Sequence, residues 1–132
     1  MEDVQAKMIP PLFRETDDRF TLQPSTIPGA GLGCFARVPL RQGDRLEVIG
    51  MLIEPGSAAD QSTAYADEYK LRVDGKLLIP CGYAGMVNHA AEPNVRKVAE
   101  QGRLYLEAMR EIAAGEELFF TYSVYAQERF LM

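Results

Sequence analysis

Glycine and proline punctuate this chain so densely between Pro24 and Gly115 that regular structure can survive only in short pieces. The apolar runs between these punctuation marks are short and rich in Leu, Val, Ile and Phe. Phe20–Gln23, Cys34–Val38, Tyr69–Val73, Lys76–Ile79, Val95–Ala99, Leu104–Ala108 and Leu118–Tyr122 read as strands. Arg45–Glu54 reads as a further strand with a bend at Gly50. Asp74-Gly75 lies between two of these runs and predicts a tight hairpin, and Gln101-Gly102 marks a second turn. Ser57–Glu68, alanine-rich and polar, is the one convincing helix. The predicted class is therefore mainly β, a single domain of short strands. It is not the parallel α/β sheet of the familiar dinucleotide-binding folds.

At 132 residues the chain suits one domain with an adequate core. Residues 1–19 are expected to form an N-terminal arm, 20–124 the domain, and 125–132 a C-terminal tail placed to close the active site. The longest apolar stretch, Val48–Ile53, is far too short to span a bilayer, so no membrane role is expected. The acidic start Met1-Glu2-Asp3-Val4 does not resemble a secretion signal, and a cytoplasmic location is the expectation. Two cysteines, Cys34 and Cys81, are expected to be free thiols. With one histidine and no paired-cysteine spacing, no metal site is expected. A net charge of −5 and a pI of 4.9 argue against a protein that grips nucleic-acid phosphates, and so against a DNA-binding regulator. The acidic balance is compatible with a partner that brings positive charge, and equally with plain solubility.

Three segments carry candidate chemistry. In Ser25–Ala36, glycines 29, 31 and 33 alternate with small or apolar residues. Such a run allows positive φ and close approach of a ligand, but it does not have dinucleotide-loop spacing. Alone it reads more readily as a tight turn between strands. Gly85–Asn94 contains Asn88, whose amide both donates and accepts, and the lone His89. Alone it reads as a structural loop. Ala108–Tyr122 is a glycine turn leading into a strand that ends Phe-Phe-Thr-Tyr, where a tyrosine is commonly core or rim.

The order and spacing of the three are more specific than any one of them. A glycine-alternating turn ending Gly-x-Phe-Ala, then Asn-His-x-x-x-Pro-Asn, then Gly-Glu-Glu-Leu-x-x-x-Tyr resembles the SET-domain protein-lysine methyltransferases. The stretch Ser-x-Ile-Pro-Gly-Ala-Gly-Leu-Gly is most similar to the PR-domain branch. The resemblance runs from about Phe20 to Tyr122 and implies a minimal, stand-alone SET domain. It implies a β-clip fold of several small twisted sheets, one short helix and a knot-like C-terminal threading. It further implies that S-adenosylmethionine is the cofactor and S-adenosylhomocysteine its product. Gly31, Leu32 and Gly33 would lie along the cofactor with Asn88 and His89 holding its ends, His89 mainly through its main chain. Tyr122 matches the catalytic tyrosine. Phe120 matches a lysine-channel position that influences how many methyls are added. Tyr69, Tyr125 and Phe130 are further channel aromatics.

The implied substrate is a lysine of a histone, histone-like, ribosomal or other protein, and a homodimer would help wall the channel. The chain departs from the family's usual residues at Gly85-Met86, Ala90-Ala91 and Thr121, and lacks the cysteine-rich zinc segment. These departures keep open the alternative of a catalytically impaired SET-like domain acting as a protein-interaction module.

Overall fold

The computed structural model describes residues 14–121. Among the described residues, ten short strands form four small sheets. β1 (Phe20–Pro24) pairs antiparallel with β2 (Leu32–Ala36). β3 (Arg45–Glu47), β9 (Arg103–Ala108) and β8 (Val95–Glu100) form a three-stranded sheet in the order β3-β9-β8. β4 (Gly50–Ile53), β6 (Lys76–Pro80) and β5 (Leu71–Val73) form a second, in the order β4-β6-β5. Last, β7 (Asn88–His89) and β10 (Phe119–Phe120) pair in parallel. The expectation of a mainly β fold built from small sheets is met.

Both expected hairpins form. Their central residues all carry positive φ, at Asp74 and Gly75 and at Gln101 and Gly102. That conformation suits a two-residue turn whose twist matches the strands. The predicted strand Arg45–Glu54 is instead two strands in different sheets. Gly50 packs so tightly on β6 that a Cβ would collide with the Ile79 carbonyl, so the chain bends there and crosses from β9 to β6.

The predicted helix over Ser57–Glu68 is also divided. Helix α1 (Ala58–Ser62) is capped by the Ser57 hydroxyl, which accepts from the Asp60 N–H at 3.2 Å. The chain then tightens into a 3-10 turn, Ala64–Tyr69. Lys70 gathers the two halves. Its ammonium, on a side chain only 4% exposed, donates to Asp60 Oδ1 at 2.7 Å, Asp67 Oδ1 at 2.6 Å and the Asp60 carbonyl at 3.0 Å. Burial works against its charge, but the hydrogen bonds it donates to the two aspartates outweigh burial and raise the Lys70 pKa. A Lys70→Met protein is therefore expected to be cleaved by protease within residues 56–70 at least about tenfold faster, while its global Tm moves by less than about 4 °C. Equal cleavage rates would show that Lys70 does not brace this segment.

The core joins all the sheets through Phe20, Cys34, Leu46, Val73, Leu78, Val95, Leu106, Ile112, Leu118 and Phe120. Cys34 and Cys81 are both free thiols, as expected. Burial pushes the Cys34 thiol up to about 12, so it behaves as a small apolar residue. Residues 15–19, expected to be a lead-in arm, are built onto the domain. The Tyr83 N–H donates to Glu15 Oε1 at 2.7 Å, and Arg19 donates to the Arg45 carbonyl at 2.7 Å.

Candidate functional site

The segment 112–120 runs through the middle of the domain with partners on both sides. On one side Leu40 and Ile112 exchange main-chain bonds of 2.8 and 3.0 Å, Ala36 N–H donates to Glu116 O at 2.9 Å, and Leu118 N–H donates to Cys34 O at 2.8 Å. On the other side lies the Asn88–Asn94 segment. Asn94, 3% exposed, donates its amide to Glu117 O at 2.8 Å and accepts from Phe119 N–H at 2.8 Å. Its own N–H donates to Phe119 O at 3.1 Å, and Ala90 N–H donates to Phe120 O at 3.1 Å. The C-terminal segment is thus threaded between β2 and the Asn-His segment. This brings together three stretches that lie far apart in sequence.

Glu117 occupies their meeting point. It is 4% exposed, and its carboxylate accepts from Ser25 Oγ at 2.8 Å, Thr26 N–H at 2.8 Å, Thr26 Oγ1 at 2.6 Å and Asn88 Nδ2 at 3.2 Å. Burial raises its pKa, but the bonds from Thr26, Ser25 and Asn88 outweigh burial and hold it below the usual glutamate range. Gly33 is required beside it, because a Cβ there would collide with Glu117 Oε2 and crowd Asn88 Nδ2.

Asn88 closes the arrangement. Its amide nitrogen donates to the Leu32 carbonyl at 3.1 Å as well as to Glu117. Both neighbours are pure acceptors, so the NH2 group must face them, and both its hydrogens are committed. Its Oδ1 accepts from no group among the described residues. Gly31, at φ +77°, has open space where a side chain would stand, and Leu32 is 45% exposed. The result is an exposed glycine turn beside a fixed amide oxygen, with a buried carboxylate beneath. Such a place suits a ligand that carries an ammonium group.

Of the residues expected to act together, Gly31, Leu32, Gly33 and Asn88 do meet here. His89 follows Asn88 in β7 and pairs with Phe120. Phe120 is 6% exposed and packs in the core behind this ladder. Tyr69 is 56% exposed on the 3-10 turn that packs on β6. Tyr122, Tyr125 and Phe130 lie outside the described residues. Glu117 and Asn94 were not singled out from sequence, although both stand inside quoted motifs. Nothing local in the sequence marks Glu117 as buried, because its partners are up to 92 residues away.

Small sheets, a glycine turn and a threaded strand locked on one buried glutamate define an architecture distinct from the parallel α/β sheets. The chain belongs to the SET domain family, the lysine methyltransferase family that its motifs resemble: the family's model matches residues 31–123. No curated protein matches the sequence significantly. Among solved structures, it is similar to a humanized mutant of the Chaetomium thermophilum Polycomb Repressive Complex 2 bound to an inhibitor, with a TM-score of 0.67 and 25% identity over 79% of this chain. It spans only 15% of the length of that chain. It is also similar to a Plasmodium falciparum protein described as a candidate histone methyltransferase, with a TM-score of 0.66 and 17% identity, covering 83% of this chain and 96% of that one. At that identity the second likeness speaks for the fold.

Proposed function

We propose that this domain transfers a methyl group from S-adenosylmethionine to the ε-amine of a lysine in a protein substrate. The observation that best supports this reading is the state of Asn88, whose donors are spent on Leu32 and Glu117 while its oxygen is presented beside an open glycine turn. Gly31, Leu32 and Gly33 would lie along the cofactor, Asn88 Oδ1 would accept from its ammonium, and the main chain of His89 would face its adenine end. When bound, the cofactor supplies a methyl group on a positively charged sulfur.

The chain's own residues would prepare the lysine. A free lysine amine has a pKa near 10.4, so it is protonated at neutral pH and cannot act as a nucleophile. A narrow aromatic passage removes water from it, and desolvation lowers its pKa by up to several units. Aromatic faces also attract the cation on entry. Phe120, held in the core, would form the fixed wall of that passage, with Tyr69, Tyr125 and Phe130 as the others. The Tyr122 hydroxyl would orient the nitrogen. Alignment of two bound reactants is worth about 7–11 kcal/mol, enough to provide most of the acceleration without a dedicated base. The net charge of −5 favours lysine-rich substrates such as histones, histone-like or ribosomal proteins, and a cytoplasmic location and a homodimer belong to the same reading.

Calorimetric titration tests the cofactor site without knowledge of the substrate. S-Adenosylmethionine and S-adenosylhomocysteine are expected to bind the wild type with micromolar affinity. Asn88→Ala should weaken both by about 10–100-fold, the value of one hydrogen bond to a charged group. No binding to the wild type, with or without a basic peptide present, would overturn the reading in favour of an interaction module.

A further inference from the structure

The sheet β3-β9-β8 separates its charges by face. Side chains alternate along a strand, so residues paired across the sheet share a face. On the outer face Arg45 donates to Glu100 and Glu107, Arg96 donates to Glu107, and Arg103 lies beside Glu47. Each of these three cations has an acid partner. Lys97 stands on the other face. It pairs with Leu106, which pairs in turn with Leu46, and both leucines are buried in the core. Lys97 is half-buried there, and its ammonium meets no acceptor among the described residues. The chain has four lysines. Of the three described, Lys70 is held by two aspartates and Lys76 lies 3.4 Å from Glu54. Lys97 alone is buried without compensation, and that lowers its pKa.

β8 begins directly after Asn94, which is bonded to Phe119 through both its main chain and its side chain. Lys97 follows Val95 by two residues on the same face, about 6.6 Å further along the strand. Val95 and Phe120 belong to one core cluster, and β10 packs against β8. The row from Val95 to Lys97 therefore runs beside the wall that the methyl-transfer reading gives to the lysine passage. We propose that Lys97 is itself a methyl acceptor of this domain, an amine kept without an acid partner on the core face of β8 and methylated within its own copy. The neutral amine forms a bond to the methyl carbon as the bond from that carbon to sulfur breaks. The electron pair stays on sulfur, leaving S-adenosylhomocysteine. The positive charge passes to the nitrogen, which then loses a proton to water. An arginine at this place could not serve, because it keeps its charge.

This inference rests on the methyl-transfer reading and names a substrate for it. The purified protein is incubated with S-adenosylmethionine alone, and methyl groups are mapped by peptide mass spectrometry. Lys97→Arg, which keeps the charge, and Lys97→Met, which keeps the apolar stem, are the controls. Purified core histones in a parallel reaction report turnover on another chain. A reaction without the cofactor, reductive methylation by formaldehyde and cyanoborohydride at neutral pH, reads how free each amine is.

Lys97 is expected to carry the methyl mark, with Lys70 and Lys76 bare, and the mark should vanish from the intact mass of both variants. Its first-order rate constant should not change on dilution, as for a reaction within one molecule. In the cofactor-free reaction Lys97 should be modified at least about tenfold faster than Lys70, the difference made by one pKa unit. A rate constant that falls in proportion on dilution would overturn methylation within one copy. Slower cofactor-free modification of Lys97 than of Lys70, or a methyl group on another residue in place of Lys97, would overturn the choice of this amine. Methylated histone with Lys97 bare would overturn the inference and leave the methyl-transfer reading standing. No methyl group on histone or on the domain would defeat that reading and this inference with it, while the cofactor-free reaction would still decide whether Lys97 is held as a free amine.

Discussion

A Glu117→Ala protein is expected to be about 3–5 kcal/mol less stable than the wild type and to lose most of its affinity for S-adenosylmethionine. The substitution leaves Ser25, the Thr26 hydroxyl and N–H, and one Asn88 hydrogen facing a void. Each bond to a charged acceptor is worth about 1.5–3 kcal/mol, but the four share one carboxylate and will not add in full. The measurement is the urea midpoint of each variant, paired with calorimetric titration of the cofactor. Glu117→Gln, which keeps the shape and one acceptor, should fall between the two. An Ala variant within about 1 kcal/mol of wild type would show that the carboxylate does not hold the site together.

The same residue sets a pH dependence. The folded pKa of Glu117 lies below the ordinary glutamate value of 4.5, so under acid the unfolded chain takes up its proton first. The stabilisation is fully present above the unfolded value and is lost as pH falls through the lowered folded value. The stability gap between wild type and Glu117→Gln should therefore be constant at neutral pH and shrink below about 4.5.

Tyr122→Phe is expected to have the largest effect on turnover. Loss of one aligned polar group at a reacting centre costs about 10²–10³-fold in kcat. Affinity for S-adenosylmethionine and the Tm should stay close to wild type, because Glu117 and the Leu32 carbonyl hold the glycine turn and Asn88 together. The check is single-turnover methyl transfer to a lysine-rich protein beside calorimetry on the same preparation. Turnover equal to wild type would remove Tyr122 from the mechanism.

Much of the fold was legible because its signals are local. Asp74-Gly75 and Gln101-Gly102 produce their turns through their own φ preferences, and the Ser57 cap acts within one turn of its helix. What was not legible depends on partners distant in sequence. Gly50 splits a continuous apolar run because β6 approaches its backbone, and nothing between residues 45 and 54 announces that approach. The helix from Ser57 gives way to a 3-10 turn at Ala64, and the Lys70 ammonium that ties Asp60 to Asp67 across this junction comes from beyond its end. β7 is two residues long and pairs in parallel with a strand some thirty positions later, which leaves no periodic trace.

The candidate site divides in the same way. Gly31, Leu32, Gly33 and Asn88 could be named because motif order marks them, and the structure brings them together. Glu117 could not, since a glutamate in a turn is ordinarily solvated, and only the threading brings donors from positions 25, 26 and 88 around it.

That carboxylate also sets a timetable for the nascent chain. The bond from Thr26 to Glu117 closes a loop of 91 residues. Contacts at such separations are entropically costly and form late. On the ribosome, the glycine turn and the Asn-His segment are made long before the residue that joins them. At about 5–20 residues per second, the turn waits roughly 5–20 s before its partner is even synthesised. The turn and Asn88 are not joined through the carboxylate in that interval, so a ligand that needed both could only capture the finished thread.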